Sequence, residues 1–257
     1  MNDKVTSQVT TPVQTDAWTT LRNFTKARIA LGNSGGSLPL SEILSFQLAH
    51  ANAKDAIFVP LQINELQSQL EDLNIQVFSL HSQVNNRDEY MKRPDLGRRL
   101  NEESTRVLKN SGQSFDIVFV ITDGLSAEAV NTQAAEIIKK LIRTLAGKYK
   151  IAVSIVSQGR VAIGDEIGEL LGAKFSVVFI GERPGLSSPQ SMGIYTTYNP
   201  KPGLTDENRN CISNIHADGL SREDAAVILN YLVEQSFQKK ISGVNLKLEI
   251  EKIITSE

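Results

Sequence analysis

Cys211 and His216 stand five residues apart in the stretch NCISNIH (210–216), which holds the chain's single cysteine and one of its three histidines. Three chemistries use such residues: a thiolate nucleophile served by an imidazole base, part of a metal site, or a loop that grips a ligand. A nucleophile needs a thiolate, a base within hydrogen-bond reach and a third group to orient the base. NCISNIH carries no nucleophile elbow and no glycine-framed cysteine signature. Structural zinc takes four ligands, and His50 and His81 lie far off with no ligand spacing. A lone cysteine is most often a small buried hydrophobe. Ligand contact is therefore the reading to test along the rest of the chain.

The chain has 257 residues, enough for one large domain or two smaller ones. Hydrophobic residues make up 40% and charged residues 22%, the balance of an ordinary globular protein. Twenty-seven basic residues face twenty-nine acidic ones, so no field draws a polyanion and nucleic acid is excluded as a partner. Apolar runs such as Ile117–Ile121 fall far short of the roughly 20 residues a membrane span needs. One cysteine forms no internal disulfide, and a reduced, cytoplasmic setting is expected. The amino terminus, MNDKVTSQVTTPVQTD, lacks a secretory pattern and reads as a flexible lead-in over residues 1–15.

The elements that must position these residues fall into two halves. Residues 16–111 read as a mainly helical domain. Helices are predicted at Asp16–Leu31, at Ser41–Lys54 with Ile43, Leu44, Leu48 and Ala51 on one face, and at Asn64–Leu73. Ile75–Leu80 reads as a short strand. Pro94-Asp95 opens a further helix over 93–110, with Asp95 as its cap. Residues 112–257 alternate strand and helix. Strands are expected at Asp116–Ile121, Ile151–Val156, Phe175–Ile180 and Ile194–Tyr198. Helices are expected from Ser126 to about Ala146, around Ile163–Leu171, and from Ser221 to Lys240 with Gly243 beyond. That alternation implies an α/β fold: a Rossmann-like, mostly parallel sheet flanked by helices and preceded by the smaller helical domain.

Open parallel sheets bind ligands outside the carboxyl ends of their strands. Thr122–Ser126, Ser157–Val161 and Gly181–Gly185 each follow a predicted strand directly, and NCISNIH follows the fourth by a loop. Each segment alone reads as an ordinary turn, and Arg93, Arg98 and Arg99 as a solvated helix face or a docking surface. Together they converge on one edge. The first strand is followed by DGLSAEA rather than a glycine-rich dinucleotide fingerprint, and no P-loop is present. The edge is built for a large neutral ligand held by backbone groups and a few side chains.

RPDLGRRL (93–100), TDGLSAEAV (122–130), QGRVAIGDEIGELLGAK (158–174), GERPGL (181–186) and CISNIH (211–216) resemble the small subunit, or light chain, of ethanolamine ammonia-lyase. The likeness runs from about Asp88 to Gly243, and more weakly from Arg28 through Asp55. It implies a lyase active only with a large (β/α)8-barrel subunit, which carries the ethanolamine site. It implies adenosylcobalamin as cofactor and a radical conversion of ethanolamine to acetaldehyde and ammonia. On the family pattern, Val161, Glu182 and Cys211 contact the cobalamin, and this chain supplies no catalytic residue. None of the three histidines has an aspartate two residues before it, as in the Asp-x-His-x-x-Gly motif that supplies a histidine to cobalt. The cofactor is therefore expected to keep its own base, with no metal ligand from this chain. The family operates in the setting of a bacterial microcompartment, so the lead-in reads as an address or as unstructured slack. The competing readings are a self-contained α/β enzyme, such as a Cys-dependent hydrolase, and a pure interaction protein. The arginine cluster is a candidate contact with the large subunit. The tail after Gly243 has no assigned role.

Overall fold

A computed structural model describes residues 12–247. Among them, six strands form one sheet: β1 (Gln76–His81), β2 (Ile117–Thr122), β3 (Ile151–Ser157), β4 (Phe175–Gly181), β5 (Met192–Tyr198) and β6 (Arg209–Ile215). Their order across the sheet is β1-β3-β2-β4-β5-β6. β1, β3, β2 and β4 run parallel, and β5 and β6 add an antiparallel margin. The α/β class read from the alternation is the one observed.

Among the described residues, seven α-helices accompany these strands: α1 (Leu40–Ala56), α2 (Ile63–Leu70), α3 (Arg87–Lys92), α4 (Glu102–Asn110), α5 (Glu128–Leu145), α6 (Ile163–Leu170) and α7 (Arg222–Lys239). Every residue of β2 is buried, as its unbroken apolar run requires of a strand covered on both faces. Ile117, Phe119 and Ile121 point into a core shared with α2, α5 and α7. Val118 and Val120 point into a second core, with Leu108 of α4 and Ile163 and Ile167 of α6. In register, Thr122 of β2 stands level with Val156 of β3 and Ile180 of β4, so the three central strands end together.

Several local expectations change. Asp16–Leu31 is not a helix: only Thr19–Asn23 forms a 3-10 turn, and no residue of that turn is buried. An isolated short helix is marginal without an apolar face to bury, and this segment has found none. α1 forms as predicted, yet Ala56 is its one buried residue, and Leu44 and Leu48 are exposed. Asp95 caps no long helix. It precedes a 3-10 turn at Leu96–Arg98, and α4 starts later, capped by Asn101, whose Oδ1 accepts from the Ser104 amide at 2.8 Å. Ser126 is fully buried and makes no cap bond, so α5 begins at Glu128. Ser221 does cap α7, accepting from the Asp224 amide at 3.0 Å.

Strand β1 pairs with β3, so residues 76–81 belong to the same sheet as the later strands. A division at 111/112 therefore falls between two strands of one sheet. NCISNIH is not a loop but most of the edge strand β6. The lead-in before residue 12 and the tail from residue 248 lie outside the described residues. Leu246, the second residue before that stretch, is buried, and its carbonyl accepts from Asn210 at 2.9 Å.

Candidate functional site

The turns after β2, β3 and β4 are stitched to one another at distances that only small residues permit. Thr122, the last residue of β2, donates its hydroxyl to the Val156 carbonyl at 2.7 Å and accepts from the Gly159 amide at 3.0 Å. Leu125 donates its amide to the Gly181 carbonyl at 2.9 Å. A Cβ on Gly181 would sit 1.7 Å from the Ser126 carbonyl oxygen, so β4 must end in glycine for the two turns to touch.

The turn after β3 is clamped from the RPDLGRRL side. Arg160 donates its amide to the Gly97 carbonyl at 2.7 Å, and a Cβ on Gly97 would meet the Arg160 side chain at 2.8 Å. Buried Tyr90 of α3 donates its hydroxyl to the Gly159 carbonyl at 3.1 Å. The Arg160 guanidinium lies 3.9 Å from the Tyr90 ring centre and donates to the Tyr90 carbonyl at 2.8 Å. Arg87 stands over the same ring at 4.5 Å and reaches the Asp123 carboxylate at 3.8 Å. Burial pushes the Asp123 carboxyl up, against the opposing pull of Arg87 and of the Gln158 amide. Gln158 takes φ +59°, a strained setting for a non-glycine residue, at the bend that turns the chain toward Val161.

These turns line an open cavity of about 530 Å³. Val161 and Glu182 both line it, with Leu125, Arg160 and Tyr195 between the predicted turns and strand β5. Glu182 follows β4 directly. Its carboxylate accepts the Ser191 hydroxyl at 2.5 Å and the Asn214 amide at 3.3 Å. Cys211 does not line the cavity itself. It pairs in register with Tyr195, which does, and Asn214 lies on the same strand as Cys211. Glu182 therefore bridges β4 to the strand that carries Cys211. Val161 and Glu182 meet at the cavity, whereas Cys211 stands in mid-strand, level with Tyr195 and Val178.

The Cys–His pair fails as chemistry. His216 Nδ1 stands 3.2 Å from the Ser188 hydroxyl and accepts the Asp218 amide at 3.3 Å, so its contacts lie in the loops and not at Cys211. Cys211 is exposed on its edge strand, not the buried hydrophobe a lone cysteine most often is. Desolvation by its neighbours pushes the thiol up, as does the Glu182 carboxylate, while the Tyr195 hydroxyl pulls the other way. A raised thiol is a poor source of thiolate.

Two features of the site gave no signal in the sequence. No element was expected over Arg87–Lys92, and only the fold brings Tyr90 of that short helix under Gly159. Asp165 of α6 and Arg209 of β6 form a buried, bidentate ion pair, with both oxygens at 2.7 Å. That pair holds the helix after Val161 against the strand that carries Cys211. Of the arginine cluster, Arg93 pairs with Asp95 and Arg99 with Glu166, while Arg98 lines the cavity.

The match to known proteins extends over nearly the whole described chain. The family model described as ethanolamine ammonia-lyase light chain matches residues 15–247. A protein of Pseudomonas putida named ethanolamine ammonia-lyase small subunit is 49% identical over 247 residues, covering 94% of this chain and 91% of its own length. One of the same name from Xanthomonas campestris pv. campestris is 47% identical over 252 residues, covering 96% of this chain and 92% of its own. At this level of identity over this length, the chain belongs to the ethanolamine ammonia-lyase light chain family, the small component of a lyase.

Proposed function

We propose that this chain closes over one edge of adenosylcobalamin against a large barrel subunit, which carries the ethanolamine site. The observation that carries the reading is the position of Glu182: it lines the cavity with Val161, and its carboxylate is tied to the strand of Cys211. The donor set fits the group. A corrin rim presents neutral acetamide and propionamide arms, which need acceptors for their N–H groups and donors for their carbonyls. Glu182 offers carboxylate lone pairs, Tyr195 a hydroxyl, and Val161, Ala162 and Leu125 an apolar wall. The cavity is too small and too open to enclose a corrin, which suits a subunit that grips one side only. When bound, the cofactor supplies the radical chemistry that turns ethanolamine into acetaldehyde and ammonia, and this chain has no need of a catalytic group of its own.

The work of this chain is to orient and to exclude water. Tyr90, Gly97 and Thr122 hold the Gln158–Val161 turn, and Ser191 and the Asn214 amide hold the Glu182 carboxylate.

The partner has a surface to cover. Trp18, Phe24, Leu40, Leu44 and Leu48 are exposed, and Phe24 is 85% so. Leu40, Leu44 and Leu48 recur at helical spacing along α1, and an exposed apolar stripe of this kind marks an interaction site. The apolar arm reaches the site edge at both ends. Lys26 pairs with Asp218 beyond β6, and Ile57 accepts from Arg87 beside Tyr90 at 2.8 Å. A large subunit seated on this arm would also close the cavity. Mixing the two subunits with adenosylcobalamin and ethanolamine tests the reading. Acetaldehyde is expected only from the mixture, and a yield no higher than that of the large subunit alone overturns it.

A further inference from the structure

Arginines crowd the cavity and the segments that hold it, and most have a carboxylate. Arg87 faces Asp123, Arg93 pairs with Asp95, Arg99 with Glu166 and Arg209 with Asp165. Arg98, Arg160 and Arg183 differ. All three line the one cavity, and among the described residues none has a carboxylate within ion-pair distance. The side chains of Arg98 and Arg183 make no hydrogen bond to a described residue, and Arg160 spends a single N–H on the Tyr90 carbonyl.

Arg160 is moreover held as a plate. Its stack on Tyr90 and its bond to the Tyr90 carbonyl fix the guanidinium plane before any ligand arrives. A fixed guanidinium loses little conformational freedom on binding and matches the paired oxygens of a phosphate or carboxylate. The two carboxylates on the cavity wall do not neutralise these three cations. Glu182 is turned to Ser191 and the Asn214 amide, and Asp206 stands 3.5 Å from Arg209. A cavity meant only for neutral amide arms would not gather three unpaired guanidiniums in a chain of net charge −2.

We propose that Arg98, Arg160 and Arg183 form an anion subsite within this cavity that takes a phosphodiester, namely the one linking the corrin of the bound cofactor to its nucleotide base. The inference rests on the cofactor reading above and adds a polarity to it: the nucleotide tail lies against the wall shared by the RPDLGRRL and QGRV segments. Arg98 and Arg183 hold the phosphate oxygens as mobile donors, and Arg160 holds them as a fixed one.

The test is a binding titration of the assembled two-subunit complex, followed by cobalamin absorbance at equilibrium, with cyanocobalamin, cobinamide phosphate and cobinamide. The last keeps the amide arms and lacks both phosphate and base. Arg98 and Arg183 are exposed, so R98Q/R183Q keeps the fold. The double variant is expected to weaken cyanocobalamin and cobinamide phosphate by roughly tenfold or more, the worth of a charge-assisted hydrogen bond, and to leave cobinamide unchanged. Inorganic phosphate is expected to displace cobinamide phosphate from the unsubstituted complex and to do so poorly from the variant. Equal weakening of all three corrinoids would mean that the arginines serve amide carbonyls, and no weakening would mean that they serve nothing in the cofactor; either result overturns the subsite. Phosphate that binds without competing would place the anion elsewhere and overturn it as well. A parallel titration of Glu182→Gln separates the two layers. If that variant weakens all three corrinoids while R98Q/R183Q weakens none, the cofactor site stands and the subsite falls. If neither variant changes any of them, the cofactor reading itself falls.

Discussion

The Asp165 carboxylate and the Arg209 guanidinium meet through two parallel hydrogen bonds of 2.7 Å, with both side chains almost wholly out of water. Thr197 and the Leu204 carbonyl take further Arg209 donors at 3.0 and 3.1 Å. The pair fastens α6, which follows Val161, to the start of β6, two residues before Cys211. Breaking one side of a buried pair strands the other charge, at a cost of about 3–5 kcal/mol. Arg209→Met is expected to lower the thermal midpoint strongly. The double change D165L/R209M removes both charges and is expected to recover most of the loss. Thermal unfolding of the three proteins measures this, and an Arg209→Met midpoint equal to the parent's would remove the pair from the account.

Glu182 should report on the cofactor and not on the turnover. Glu182→Gln keeps the shape and one acceptor for Ser191 and the Asn214 amide, but loses the charge that makes such bonds roughly twice as strong. The expected result is a higher apparent cobalamin constant in the assembled complex with little change in kcat at saturation. A fall in kcat at an unchanged constant would contradict the clamp.

Two glycines four residues apart separate packing from mere turn composition. A methyl group at Gly181 would lie 1.7 Å from the Ser126 carbonyl and 2.5 Å from that of Asp123, both backbone atoms that cannot swing aside. At Gly185 its nearest neighbour is 3.4 Å away. Gly181→Ala is expected to cost several kcal/mol, roughly 3 or more, by overpacking and backbone displacement, and Gly185→Ala to stay within about 0.5 kcal/mol. Unfolding curves of the two variants decide the matter.

Asp116, just before β2, sets an acid limb. Its carboxylate accepts the Lys150 amide at 3.0 Å and the Lys174 ammonium at 2.9 Å, and these hold its pKa below the usual carboxylate value. A carboxyl depressed on folding adds stability above its unfolded pKa, near 3.9, and loses it as pH falls through the lower folded value. Asp116→Asn is therefore expected to be less stable than the parent by about 1 kcal/mol at neutral pH, with the gap closing below about pH 4. A gap that is constant down to pH 2 would assign the effect to shape instead of charge.

The apolar arm can be tested without disturbing the fold. Leu44 and Leu48 are 54% and 63% exposed on α1. L44D/L48D is expected to leave the thermal midpoint of the isolated chain within a degree or two, since little burial is lost. Co-purification with the large subunit should fall sharply, because two charges would have to be desolvated in the contact. Undiminished co-purification would place the subunit contact elsewhere.

The sequence by itself determined the elements whose cause is local or whose burial is complete. Ile117–Ile121 and Phe175–Ile180 are apolar on both faces, which only a strand covered from both sides tolerates, and both form as such. Ser221 and Asp224 meet within one helical turn, so the start of α7 was also legible. The turns TDGLS, QGRV and GERPG were visible as turns, and the family was legible because these motifs keep their order and spacing. The tertiary structure decided what depends on distant partners. Asp16–Leu31 has helical composition, but no core comes to meet Trp18, Leu21 and Phe24, and the segment stays mostly irregular. NCISNIH looks like a loop because an edge strand shows its Asn and Ser residues to water, and only pairing with β5 makes it a strand. The shared cavity of Val161 and Glu182, the tie from Glu182 to the strand of Cys211, and the clamp of Tyr90 on Gly159 follow from strand order. Hydrogen bonding between strands sets that order, and no spacing within the chain encodes it.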